Sequence, residues 1–346
     1  MLTIILLFSL AAIYHSENIE AEATNASSFS ELFEKGNSLY DLGRYDEAIT
    51  WYDKALDVDS NNVYALTNKG AAHGELGRYD EAITLYDKAL EINPEDVDAL
   101  INKGLALHNL SKYDEAITWY DKALDVDSNN VYVLTSKGAA HGELGRYDEA
   151  ITLFDKTLEV DPENVDALTN KGLALHNLGN YDEAITWYDK ALEVDPKFVN
   201  ALVNKGVTLD DLGRHEETIT WYDKALEINP EDVDALTNKG LALHNLGNYD
   251  EAITWYDKVL EIYPKQVNAL NNKGASLAGL GRNQEAITWY DKALEISPED
   301  VDALTNKGLA LYNMGKMDDA FIWIDKALTI DPKNQQILDV KLQLQG

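Results

Sequence analysis

The chain has 346 residues, with 61 acidic against 29 basic side chains, a net charge of −32 and no cysteine. So acidic a body repels phosphate backbones and anionic membrane surfaces, which argues against nucleic acid and leaves neutral or basic polypeptides as partners. Without cysteine there is no disulfide, no thiolate metal site and no thiol nucleophile.

The chain starts with an apolar run, Leu2 to Ile13, followed by a polar stretch ending Ala21-Glu22-Ala23. The run is shorter than the roughly 20 residues a membrane span needs. A short apolar run before an A-x-A site predicts a signal peptide over residues 1–23, cleaved after Ala23, although no Lys or Arg precedes the run. Export to the outside of the cell, or to an extracytoplasmic surface, is the expectation. An uncleaved short anchor is the alternative. Residues 24–28 are a spacer, in which Asn25-Ala26-Ser27 matches a glycosylation triplet that is common by chance.

From Phe29 to residue 334 a 34-residue pattern recurs nine times without insertion, starting at Phe29 and then at Val63, Val97, Val131, Val165, Val199, Val233, Val267 and Val301. A fixed period of this kind is the signature of a stacked solenoid. Residues 165–198 show the unit. Leu168, Gly172, Leu175 and Leu178 fall on one face of a first helix, and Gly179 marks its left-handed end. Tyr181, Ala184, Ile185, Tyr188, Ala191 and Leu192 form the stripe of a second helix, which Pro196 stops. Glycine stands at the Gly172 position in all nine units, at a cost of about 1 kcal/mol per helix relative to alanine, so close packing is expected there. Asp182 and Glu183 favour the start of the second helix, and an Asp-Lys pair such as Asp189-Lys190 recurs in every unit. Residues 29–334 contain no linker, which predicts one all-α solenoid of nine helix pairs. Residues 45–112 and 113–180 are nearly identical, so part of the repetition is ancestry.

These residues resemble the tetratricopeptide repeat family over residues 29–334. The glycine of the first helix, the aromatic after Gly179, the two alanines, the Tyr188-type aromatic and the terminal proline all fit. Leu168 stands where the family often has Trp, and Lys171 where it often has Leu. Ser60 and Ser128 replace the proline in two units. The resemblance implies a right-handed superhelix of antiparallel helix pairs whose first helices line a concave groove. It also implies a protein-binding scaffold and no enzyme. In the ninth unit Met317, Phe321 and Ile324 depart from the pattern. Residues 335–346 are expected to add a solvating helix, with Ile337, Leu338, Leu342 and Leu344 covering the last open face.

No residue set points to catalysis or a cofactor. His108, His176 and His244 form one row and His73 with His141 another, but members of a row lie two units apart, roughly 20 Å at helix-packing distances, too far to share a metal. They read as surface or groove lining. Trp51, Trp119, Trp187, Trp221, Trp255, Trp289 and Trp323 share one place in the second helix and read as seam packing. There is no phosphate loop and no nucleophile–base–orienter set.

The groove remains. One exposed place of the first helices holds Asn68, Asn102, Ser136, Asn170, Asn204, Asn238, Asn272 and Asn306, with Glu34 in the first unit. An amide donates and accepts, so such a ladder suits a peptide backbone of any sequence. Long arrays of the resembled family carry similar ladders. The competing reading has each asparagine bonding its neighbouring unit. Thr67, Thr169, Thr237 and Thr305 lie beside the ladder, and Asp98, Asp166, Asp234 and Asp302 one turn earlier. The family's clamp for acidic chaperone tails needs a lysine at Phe33, Thr67, Ile101, Thr135, Thr169, Val203, Thr237, Asn271 or Thr305, and none is basic; its second lysine would fall at Asp98 or an equivalent. The expectation is a peptide-binding scaffold, with a spacer or self-assembling array without a groove ligand as the alternative.

Overall fold

A computed structural model of the chain describes residues 28–345; the predicted signal peptide, its cleavage site and the Asn25 triplet lie outside the described residues. The described residues are all-α, with nineteen helices and no strand. They group into two compact units that divide between Pro162 and Glu163. The first contains α1 (Phe29–Asp41), α2 (Tyr45–Val58), α3 (Val63–Glu75), α4 (Tyr79–Ile92), α5 (Val97–Asn109), α6 (Tyr113–Val126), α7 (Val131–Glu143) and α8 (Tyr147–Val160). The second contains α9 (Val165–Asn177), α10 (Tyr181–Val194), α11 (Val199–Asp211), α12 (His215–Ile228), α13 (Val233–Asn245) and α14 (Tyr249–Ile262). It continues with α15 (Val267–Gly279), α16 (Asn283–Ile296), α17 (Val301–Asn313), α18 (Met317–Ile330) and α19 (Gln335–Gln345). Odd numbers up to α17 are thus the first helices of the repeats, and even numbers the second.

Local chemistry sets these boundaries. Most first helices open on a side-chain cap: Asn164 accepts from the Ala167 amide at 2.9 Å and Asp232 from that of Ala235 at 2.9 Å. They close on a left-handed residue, as at Gly179 (φ +80°), after which the Asn180 amide donates back to the Leu175 carbonyl at 2.9 Å. In the third repeat Ser111 takes this conformation at φ +58°, which glycine would adopt without its Cβ penalty. Leu178, expected in the buried stripe, instead follows the helix end and is exposed.

Within each unit every helix packs on the next, and successive first helices also touch each other. Successive second helices make no comparable contact among the described residues. The first helices therefore form the inner side of each unit and the second helices the outer side. The repeated glycine is explained by an aromatic ring. A Cβ on Gly172 would lie 2.6 Å from Cε1 of Tyr188, a fully buried residue, and the same approach recurs from Gly36–Tyr52 to Gly274–Tyr290. In the ninth repeat Gly308 faces Ile324 instead.

Neighbouring repeats are joined by an ion pair that the sequence reading missed. Lys239, in α13, is buried and pairs with Asp223, in the preceding α12. Its ammonium also sits 3.8 Å from the ring centre of Trp255, whose ring is approached by Lys258 at 3.5 Å. The arrangement recurs as Lys205–Asp189 with Trp221, Lys273–Asp257 with Trp289 and Lys307–Asp291 with Trp323. From Trp119 to Trp323 the tryptophans are thus half-buried covers between two lysines, a cation–π arrangement rather than a plain apolar seam, while Trp51 is approached by Lys54. Where leucine replaces tryptophan, at Leu85 and Leu153, the lysines of those repeats, Lys69 and Lys137, keep 18% of their side chains exposed, against 7% for Lys239.

At the C-terminal end α19 packs Ile337 and Leu344 against Leu304 and Ile324, with Val340 beside them. Leu342 does not join that face and is 65% exposed, because it lies on the opposite side of the helix from Ile337 and Leu344.

Candidate functional site

On the first helices, residues one or two turns apart share the inner face: in α9 these are Asp166, Asn170, Leu173 and Asn177. Every ladder asparagine, Asn68, Asn102, Asn170, Asn204, Asn238, Asn272 and Asn306, is half-buried on that face. Two of them bond to the preceding repeat. Asn68 Nδ2 donates to Asn37 Oδ1 at 3.0 Å, an oxygen that also accepts from the Tyr52 hydroxyl at 2.9 Å, and Asn306 Nδ2 donates to Asn271 Oδ1 at 3.2 Å. The side-chain amides of Asn102, Asn170, Asn204, Asn238 and Asn272 form no hydrogen bond among the described residues.

The threonines beside the ladder differ from one another. Thr305 Oγ1 donates to the Val301 carbonyl at 2.7 Å, whereas Oγ1 of Thr67, Thr169 and Thr237 is buried with no partner. Thr169 itself is only 2% exposed, so it forms the floor of the groove rather than its rim. Asp166 and Asp234 are exposed on the same face. In the second unit Asp166, Thr169, Asn170, Asn200, Asn204 and Asp234 meet around a cavity of about 210 Å³. Thr237, Asn238, Asn272 and Asn306 lie outside it. In the first unit Asn102 lines a cavity of about 280 Å³ with Tyr40, Tyr79 and Tyr86, and Asn68 one of about 370 Å³ with Asn37 and Tyr52.

The titratable groups here are set by burial. Desolvation pushes the Tyr52 hydroxyl up to about 12, and Tyr40 up to about 12, where nearby Glu75 adds to the effect. Two histidines of one row bridge repeats, whereas Nδ1 of His73 and of His141 in the other row is buried without a partner. His176 Nδ1 lies 2.9 Å from Thr208 Oγ1, and His244 Nδ1 lies 2.9 Å from Ser276 Oγ, each joining one first helix to the next. Burial lowers the pKa of His244 and of His108. His108 has no such hydroxyl opposite it, and its Nδ1 is left unpaired. Among the described residues no three His, Asp or Glu side chains are placed to hold a metal ion.

Sequence comparison bears on the repeat. A sequence model of the tetratricopeptide repeat matches residues 67–131, 136–197 and 276–335, together more than half of the chain. The chain belongs to the tetratricopeptide repeat family. Further tetratricopeptide models match residues 36–77 and 231–299, and the model of anaphase-promoting complex, cyclosome, subunit 3 matches residues 177–259. No curated protein matches the chain in sequence. Among solved structures, the tetratricopeptide repeats are similar in fold to those of the Cut9–Hcn1 hetero-tetramer of the APC/C, with a TM-score of 0.61 and 16% identity over 97% of this chain and 82% of that one. A tetratricopeptide repeat protein from Parabacteroides merdae gives 0.58 and 21% over 72% of this chain and 98% of its own. Pseudomonas aeruginosa PilF gives 0.51 and 21% over 60% and 94%. At these identities the likeness is one of fold.

Proposed function

We propose that the protein is a non-enzymatic interaction scaffold that holds an extended polypeptide along the inner face of its first helices. The observation that carries this reading is the state of the ladder. If the asparagines were a seam, each would bond its neighbouring repeat, as Asn68 and Asn306 do. From α9 to α15 four successive amides, of Asn170, Asn204, Asn238 and Asn272, instead remain half-exposed and without an internal partner. A half-buried amide is stabilised when an incoming backbone satisfies it. At about 8–10 Å between packed helices, such a row meets an extended chain, rising about 3.3 Å per residue, at about every third residue.

Changing Asn170, Asn204 and Asn238 together to alanine removes three contacts worth about 0.5–1.5 kcal/mol each, so affinity for a polypeptide partner should fall by about one to three orders of magnitude. The thermal midpoint should barely move, because these amides hold nothing inside the protein. A sharp fall in the midpoint with unchanged partner affinity would make the row structural.

The amino-terminal segment supports export. Its small residues Ala21 and Ala23 are those a signal peptidase selects, so the exported protein should begin at Thr24. Amino-terminal sequencing of protein from the native host tests this, and intact Met1 in a cytosolic fraction would overturn it.

A further inference from the structure

The 210 Å³ cavity of the second unit is built around a break in the repeat. At the turn before each first helix the chain elsewhere places a polar cap, such as Asn164, Asp232 or Gln266, but before α11 it places Phe198, which makes no side-chain cap bond. Two further inner-face positions change in the same repeat. Asn200 stands where the flanking repeats have Asp166 and Asp234, and Val203 stands where they have Thr169 and Thr237. The result is an apolar patch of Phe198 and Val203 bordered by carboxylates from the repeats on either side, Asp166 before it and Asp232 and Asp234 after it. Thr169, 2% exposed and with an unpartnered Oγ1, lines the same cavity.

We propose that this cavity is a subsite for one arginine side chain of the polypeptide held along the ladder, an inference that rests on the groove reading above. An aliphatic stem with a planar cation at its end matches each part of the lining. The stem covers Val203, the guanidinium lies against the Phe198 ring, and its N–H groups face the carboxylates of Asp166 and Asp234. Asp232 is partly committed, since its Oδ1 caps α13 by accepting from Ala235, so the other two carry the selectivity. Neither Asp166 nor Asp234 has a cationic partner among the described residues. The uncapped start of α11 would by itself welcome an anion, but a helix terminus carries only about half a charge, against three carboxylates on the same cavity. Lys197, next to Phe198 in sequence, does not line it. At about 210 Å³ the cavity has room for a long side chain.

The test uses the full chain and three uncharged-background nonapeptides that differ at the central residue: arginine, citrulline or lysine. Arginine should bind at least tenfold tighter than citrulline, with lysine between them. Asp166→Asn with Asp234→Asn should erase the preference. Asp148→Asn with Asp182→Asn, which removes the same charge from the second helices, should leave it. Phe198→Asn, which restores a cap and so keeps α11 folded, should shrink the preference several-fold. Equal binding of arginine and citrulline, or a preference that survives the Asp166/Asp234 change, overturns the subsite. In that case, if the Asn170/Asn204/Asn238 variant weakens both peptides alike, the groove reading stands without it. Binding of none of the three peptides overturns both.

Discussion

Replacing Gly172 with leucine is expected to destabilise the fifth repeat by about 1–3 kcal/mol, and replacing Tyr188 with alanine by about 3–5 kcal/mol. The two substitutions attack one contact from opposite sides. Any Cβ at position 172 would stand 2.6 Å from the Tyr188 ring, which is enclosed on all sides and has nowhere to retreat. Tyr188→Ala leaves a ring-sized void in the same place. The double variant should therefore cost less than the sum of the singles, because the leucine grows into the space that the ring has left. Repeat stacks unfold unit by unit as readily as all at once, so the readout is hydrogen-exchange protection of α9 and α10 beside the denaturation midpoint. Strict additivity would show that the glycine and the ring are not in contact in solution.

That contact was half legible in the sequence. Nine glycines in register announced a close approach, and the amphipathic stripes announced two helices per repeat. What meets the glycine could not be read, because Tyr188 is sixteen residues away on another helix and an aromatic at helical spacing packs against anything apolar. The ladder shows the opposite limit. Its register was plain, but the sequence cannot say which asparagines bond inward: Asn68 finds Asn37 and Asn306 finds Asn271, while the intervening repeats have Thr, Val or Ile at the Asn271 position, or Leu, Ala or Val at the Asn37 position. The lysine row carried a usable signal. Lys171 adjoins Gly172 on a helix whose neighbours are buried, where the resembled family often has leucine, and from Lys69 to Lys307 an aspartate precedes each such lysine by sixteen residues. The adjacency of Asp189 and Lys190 drew attention to the wrong pair, for Asp189 serves Lys205. Phe198 was visible as a residue but not as a departure, because the capping role it abandons belongs to a turn whose geometry only the fold reveals.

The lysine row leads to the second large effect. Asp223→Ala should cost about 2–3 kcal/mol, since it strands the Lys239 ammonium at the junction between two repeats. Removing one partner of a fully buried pair costs about 3–5 kcal/mol. The value here is set lower because the Asp223 side chain is 48% exposed and water already screens that side. Adding Lys239→Leu should recover most of the loss, because an apolar pair of similar volume carries no desolvation cost. Trp255 supplies the dryness on which the effect depends. Its ring covers the ammonium at 3.8 Å, whereas Lys69, beside Leu85, has lost that cover and keeps more than twice the exposure of Lys239. In a Trp255→Leu background Asp223→Ala should therefore cost no more than about 1 kcal/mol, the range of solvated pairs. Near 1 M salt, where the Debye length falls to about 3 Å, that remainder should vanish while the cost in the Trp255 protein persists. Urea midpoints of the four proteins of this cycle measure the coupling directly. An equal cost for Asp223→Ala in both backgrounds would mean that the tryptophan stacks on the lysine without shielding it, and that the ion pair is a surface pair in all repeats alike.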